Sequence, residues 1–100
     1  MTKLLSFSRS DKPGKKYKVE VQTASGRTKT IHFGDSSLKD YTLFSAEERM
    51  ERKRRYLARH AANEDWTDPE TAGFWSRHVL WGDTPSVQEN LKITRRRYRL

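Results

Sequence analysis

Residues 71–82, TAGFWSRHVLWG, hold two of the chain's three tryptophans, and the third, Trp66, lies just upstream. This cluster constrains the fold because the rest of the chain is poor in apolar side chains. Leu, Ile, Val and Phe together number 18 of 100 residues, and 21 Lys plus Arg against 13 Asp plus Glu leave a net charge of +8. An aliphatic-plus-Phe share under ~20% combined with high net charge is the composition of chains that struggle to order themselves. A hundred residues suit one small domain, and small domains bury a smaller share of their surface than large ones. Any core must therefore be built around the tryptophan segment, or a partner or assembly must help to order the chain. The segment is either a core or a docking surface, since Trp is enriched at interface hot spots.

The remaining elements follow from period and punctuation. Residues 1–15 (MTKLLSFSRSDKPGK) lack a sustained period and are broken by Pro13 and Gly14, which reads as an extended basic arm. Lys16–Thr23 alternates, with Tyr17, Val19 and Val21 on one side and Lys18, Glu20 and Gln22 on the other. ASGR is a turn in which Gly26 can take positive φ, and TKTIHF returns as the second strand of a hairpin over 16–33, ended by Gly34. Ser45-Ala-Glu-Glu48 has the form of a capping box and opens a helix over about 45–62. Its thin apolar stripe is Ala46, Met50, Leu57 and Ala61, bordered by Tyr56. A second helix spans about 70–81, with Phe74, His78 and Trp81 on one face and Trp75 and Val79 beside them. A third spans about 85–99, with Thr84 as N-cap, Pro85 in the first turn, and Val87, Leu91, Thr94 and Tyr98 at helical spacing. The expected fold is a small single-domain α+β protein: residues 1–15 as arm, then 16–100 as hairpin and three helices.

No catalytic constellation is present. His32, His60 and His78 have no metal-ligand spacing, and without cysteine a zinc site would need carboxylates as well. Asp65, Asp68 and Glu70 read as loop and helix-start charges. There is neither a phosphate-cradling glycine loop nor a nucleophile elbow. The expectation is a non-enzymatic protein with no cofactor, no metal and no small-molecule substrate. The absence of cysteine fits a reducing compartment. No apolar run approaches a membrane span, and the N-terminal stretch is too short and polar for a signal peptide.

Charge is distributed unevenly: net +6 over residues 1–33, +2 over 34–62, −4 over 63–84 and +4 over 85–100. Arg52-Lys-Arg-Arg55 spreads around a helix and is balanced by Glu48 and Glu51, so it is either a solvated face or a polyanion or nuclear-import signal. Arg95, Arg96 and Arg97, with Arg99, are less balanced and suit contact with nucleic acid or an acidic protein; Lys12, Lys15 and Lys16, with Lys18, form an electrostatic arm. None of these is a base-reading motif. Among the tryptophans, Trp81 is expected in the core, whereas Trp75 and Trp66 are candidate partner contacts.

The succession IHFG (31–34), DYT (40–42), an arginine-rich helix ending in RH (59–60), DW (65–66), TAGFWS (71–76) and LW (80–81) resembles a family of short, basic, uncharacterised proteins of nucleocytoplasmic large DNA viruses, such as the algal and amoebal giant viruses. The resemblance covers roughly residues 16–98. It implies no established enzymatic activity. It implies a virion component, a minor capsid protein that bridges or cements capsid subunits, found in the virion and in the infected cell and not secreted. Its partners would be capsid or other virion proteins, and neighbours could order a weak core by mass action. The alternative is a basic nucleic-acid-binding protein that helps to condense or package viral DNA, motivated by the charge and the arginine tail. A third option is an adaptor acting on host or viral machinery.

Overall fold

The computed structural model describes all residues, 1–100. It is an α+β domain in which a three-stranded antiparallel sheet is followed by three helices: β1 Lys3–Arg9, β2 Lys15–Gln22, β3 Thr28–Asp35, α1 Ala46–His60, α2 Ala72–Trp75 and α3 Val87–Tyr98. A single π-helical turn, Ser76–Leu80, extends α2.

The alternation of β2 places Val19 and Val21 inward, and β3 answers with Ile31 and Phe33. The register sets Val19 opposite Ile31 and Tyr17 opposite Phe33. The hairpin turn is closed by the Thr23 amide donating to Arg27 O at 2.7 Å, with Gly26 at φ 90°. Gly34 does not end the strand, which runs on to Asp35.

The N-terminal segment is not an arm. Residues Lys3–Arg9 form edge strand β1, paired with β2 in the order β1-β2-β3. The register slips between Leu4 and Ser6, which leaves Leu5 unpaired and exposed. A bulge inserts one residue and so shifts side-chain parity. Leu4 and Phe7, three apart, therefore both pack on the core. Phe7 stacks on Tyr17 at 5.1 Å between ring centroids.

The tryptophan segment is the hub of the core. Phe74, Trp75 and Val79 are fully buried, and His78, Leu80 and Trp81 nearly so. The buried side chains cover most of the segment's circumference, and only Ala72, Gly73, Ser76 and Arg77 reach its outer side. Phe74 meets the Tyr98 ring of α3 edge-on at 4.9 Å. Trp81 stacks flat on Tyr56 of α1 at 4.5 Å, and α2 packs on β3. Trp75, expected at a partner, is 0% exposed, and its indole N–H donates to Pro69 O at 2.8 Å. The i→i+5 bond from the Trp81 amide to Ser76 O widens the turn, so an ordinary helical wheel misjudges which residues face inward. Gly82 completes the corner. A Cβ there would lie 2.3 Å from His78 O, a backbone atom that cannot yield.

The fully buried Asn90 fastens α3. Its amide donates to Val79 O at 2.9 Å and Thr84 O at 2.8 Å, and its carbonyl oxygen accepts from the Thr84 amide and hydroxyl. The α3 N-cap is Ser86, accepting from the Glu89 amide at 3.2 Å, and not Thr84, whose hydroxyl is committed to Asn90. The expected inner face holds: Thr94 is buried, and Val87, Leu91 and Tyr98 pack against the core.

Helix α1 departs most from expectation. Ser45 precedes it but makes no side-chain cap bond. Met50 is 66% exposed, and Ala46 and Ala61 are exposed as well. Of the expected stripe only Leu57 docks, and it is joined by Lys53, Tyr56 and His60. Tyr56 is the one buried residue of the helix, and Lys53 Nζ donates to Gly82 O at 2.8 Å. Stacking between Trp81 and His60 offers Tyr56 more contact than a methionine would find over the loop. Eleven apolar residues close over one another in this way. The radius of gyration of 13.1 Å is that of a compact domain of this length, ~13 Å, so the thin composition still yields a closed core.

Candidate functional site: two basic surfaces

The expected contact residues separate into several fates. Lys16 is not a free arm cation. Its Nζ lies 2.6 Å from the buried Asp40 carboxylate. Asp40 also accepts from the Thr42 amide at 2.8 Å and from the Thr42 hydroxyl, and its carbonyl takes the Leu43 and Phe44 amides. The pair therefore organises the loop before α1. Trp66 is half-buried, with its indole N–H donating to Glu64 Oε1 at 2.8 Å and the Arg77 guanidinium over its ring. Lys12 and Lys15 stay exposed at the β1–β2 turn, and Lys18 reaches Asp11 at 3.4 Å. Asp65 and Asp68 cap local turns, accepting the amides of Thr67 and Glu70. The three histidines end in separate places: His32 on the Ser10 hydroxyl, His60 on Glu64 and His78 on Trp66 O.

The first basic surface is the outer face of α3. Lys92, Arg95, Arg96 and Arg99 are all exposed, and their separations of three and four residues make them neighbours on one face. None of the four has a carboxylate within ion-pair distance, whereas Arg97 points elsewhere and pairs with Asp83 at 2.9 Å. That partner, together with Lys53 and Arg77 nearby, holds the Asp83 carboxyl below the usual range. The helix ends with Arg99 in the left-handed region, φ 56°, and the Arg99 and Leu100 amides both donate to Arg95 O. The arginine run was legible in the sequence. Lys92 and Arg99 as members, and Arg97 as a non-member, follow from helical spacing plus the position of Asp83.

The second is a groove of about 420 Å³ between α1, the end of β3 with its following loop, and α2. Arg52, Arg55 and Arg59 line it from α1, and Lys15, Lys16 and Lys39 from the sheet side. Its apolar wall includes Leu38, Phe44, Tyr56 and Trp81. The Arg52 guanidinium stands 5.2 Å over the Phe44 ring. Arg55 is bound to Glu51 at 3.2 Å, as is Arg54 at 2.6 Å. Arg54 first, and Arg55 with it, hold the Glu51 carboxyl down to about 2. Burial pushes the Tyr56 phenol up. Among the lining residues, Glu64 Oε2 holds His60 Nδ1 at 2.8 Å while its other oxygen accepts the Trp66 indole N–H. Gly73 makes room for that carboxylate, because a Cβ there would come within 3.0 Å of it. The groove is assembled from three distant segments, so no local motif announces it.

No cluster of three or more metal-ligating side chains forms, and no helix is long and apolar enough to cross a membrane. Among family models, residues 5–60 match the one described as a family of unknown function (DUF5754), and the chain belongs to that family. The match covers the sheet from within β1, the loop and all of α1, and ends before the tryptophan segment. Neither a curated protein nor a solved structure matches the chain.

Proposed function

We propose that this member of the DUF5754 family is a non-catalytic accessory protein that contacts nucleic acid through the outer face of α3. The observation that carries the reading is the face itself: Lys92, Arg95, Arg96 and Arg99, adjacent, exposed and without an acidic partner. Seven residues of helix span about 10 Å, comparable with the axial rise of roughly three base pairs at ~3.4 Å each. Phosphate contacts position a protein on a duplex without reading its bases. Fluorescence anisotropy on short labelled duplexes of two unrelated sequences tests it. Both should bind with similar affinity at low salt, and Arg95→Glu/Arg96→Glu should abolish binding while the circular dichroism spectrum stays unchanged. A reversed-charge variant that binds as the parent does would sink the reading.

A second reading, a minor capsid protein of a large DNA virus particle, is favoured by one observation. Leu38, Leu43 and Met50, each more than half exposed, are apolar side chains that a protein neighbour would cover. Leu43→Asp/Met50→Asp should then abolish co-sedimentation with purified particles; unchanged incorporation removes this reading.

A further inference from the structure

The groove beside α1 lies apart from the α3 face and does not depend on the nucleic-acid reading. Its walls carry six cationic side chains against the three acids Asp35, Asp40 and Glu64. The acids are accounted for internally: Asp35 accepts from the Ser37 amide and hydroxyl, Asp40 from Lys16, and Glu64 from His60 and Trp66. Lys15, Lys39, Arg52 and Arg59 remain without any carboxylate in ion-pair range. Arg52 and Arg59, seven residues apart on α1, stand two turns apart on the same side of the helix. Between the charges lies an aromatic and aliphatic wall, with Phe44 half-buried and Leu38 62% exposed.

We propose that this groove binds a single nucleoside phosphate. Arg52 and Arg59 with Lys39 would take the phosphates, and the base would lie against Phe44 and Leu38. Three features select this ligand class. An uncompensated cation cluster calls for an anion, and guanidinium groups pair best with phosphate or carboxylate oxygens. An aromatic and aliphatic wall beside the cluster offers the base an apolar surface that an inorganic anion would leave unused. The volume of about 420 Å³ falls in the ~300–1,000 Å³ range of small-molecule sites, which suits one nucleotide better than a continuous strand.

Calorimetric titration of the full chain with ADP, inorganic phosphate and adenosine tests it, with Arg52→Ala/Arg59→Ala as the groove variant and Arg9→Ala/Arg27→Ala, outside both basic surfaces, as the control. All four arginines are exposed, so both variants should fold, as circular dichroism would verify. ADP should bind the parent. The groove variant should bind it at least about tenfold more weakly, as expected for losing charge-assisted hydrogen bonds, and the control should change by less than about twofold. Phosphate and adenosine should each bind at least about tenfold more weakly than ADP, since each uses half the site. No heat with ADP at millimolar concentration overturns the proposal. So does an equal loss in both variants, which would mark diffuse charge attraction, or phosphate binding as tightly as ADP. A single-stranded oligonucleotide that binds through Arg52 and Arg59 where ADP does not would replace the nucleotide with a strand.

Discussion

Helices α1 and α3 read alike in the sequence, each carrying a run of three or more consecutive basic residues, yet they differ in what holds them and what their charges do. Helix α3 is fastened by a buried polar bolt, Asn90, and by Thr94, Leu91 and Tyr98. Helix α1 buries one residue of fifteen, Tyr56. On α1 the consecutive run is largely spoken for: Arg54 and Arg55 grip Glu51 and Lys53 caps Gly82 O, while Arg52 and Arg59 on the groove side have no carboxylate partner. On α3 four of the five cations face solvent without a partner. Counting arginines therefore says little about function. What matters is whether a carboxylate one turn away neutralises them, and how rigidly the helix presents what remains.

The anchoring half of this contrast predicts a graded series. The largest effect should come from the hub on which both helices rest. Trp75→Ala should cost roughly 3–5 kcal/mol, a large part of the ~5–15 kcal/mol total of a small domain, and unfold α1 and α3 in one transition in thermal circular dichroism. Asn90→Ala strands Val79 O and both polar groups of the Thr84 backbone. At about 1–3 kcal/mol per unpaired buried group, a loss of about 2–3 kcal/mol is expected from urea unfolding. Tyr56→Ala should cost about 2 kcal/mol of lost burial and should release α1 locally. Hydrogen exchange should then speed up across α1 and remain slow in α3; equal acceleration in both helices would break the contrast.

A smaller effect concerns pH. Burial first, then the neighbouring Arg77 and Arg97, hold the His78 imidazole below its ordinary range, opposed by its bond to Trp66 O and by Asp83. An imidazole that resists protonation only when folded contributes stability above the unfolded value of ~6.5, and that contribution is lost as pH falls below it. His78→Gln keeps a donor for Trp66 O and removes the titration. Its unfolding free energy should fall less than the parent's between about pH 7 and pH 6; parallel profiles would mean that His78 titrates alike in both states.

How much of this was legible depended on regularity. The hairpin was readable because β2 and β3 keep strict period two, and Val19, Val21, Ile31 and Phe33 land inward. Strand β1 was not, because the bulge at Leu5 breaks the period at the point where it would have been recognised. The helical face of Trp81 is legible, but the burial of Trp75 is not, since the buried arc takes in Phe74, Trp75, His78 and Val79 together and the π turn departs from the wheel. Asn90 carries no sequence signal of its role, because a polar residue in a helix argues for solvent unless partners such as Val79 O and Thr84 O meet it. The α1 dock is only partly legible: Leu57 packs on the core as its spacing implies, but Met50, Ala46 and Ala61 outnumber Tyr56, which alone has an aromatic partner in Trp81. Arg95 and Arg96 were legible as cations. That they are free while Arg97 and Lys16 are not depends on Asp83 and Asp40, 14 and 24 residues away along the chain.

The salt dependence of duplex binding tests most directly the claim that free charge on α3 does what paired charge on α1 does not. Affinity should fall with salt at a slope near 0.9 per phosphate neutralised, so Arg95→Ala/Arg96→Ala should flatten the slope by about 1.8, while Arg54→Ala/Arg55→Ala should leave it unchanged. A slope that flattens equally in both double variants, or only in the α1 pair, would contradict the account.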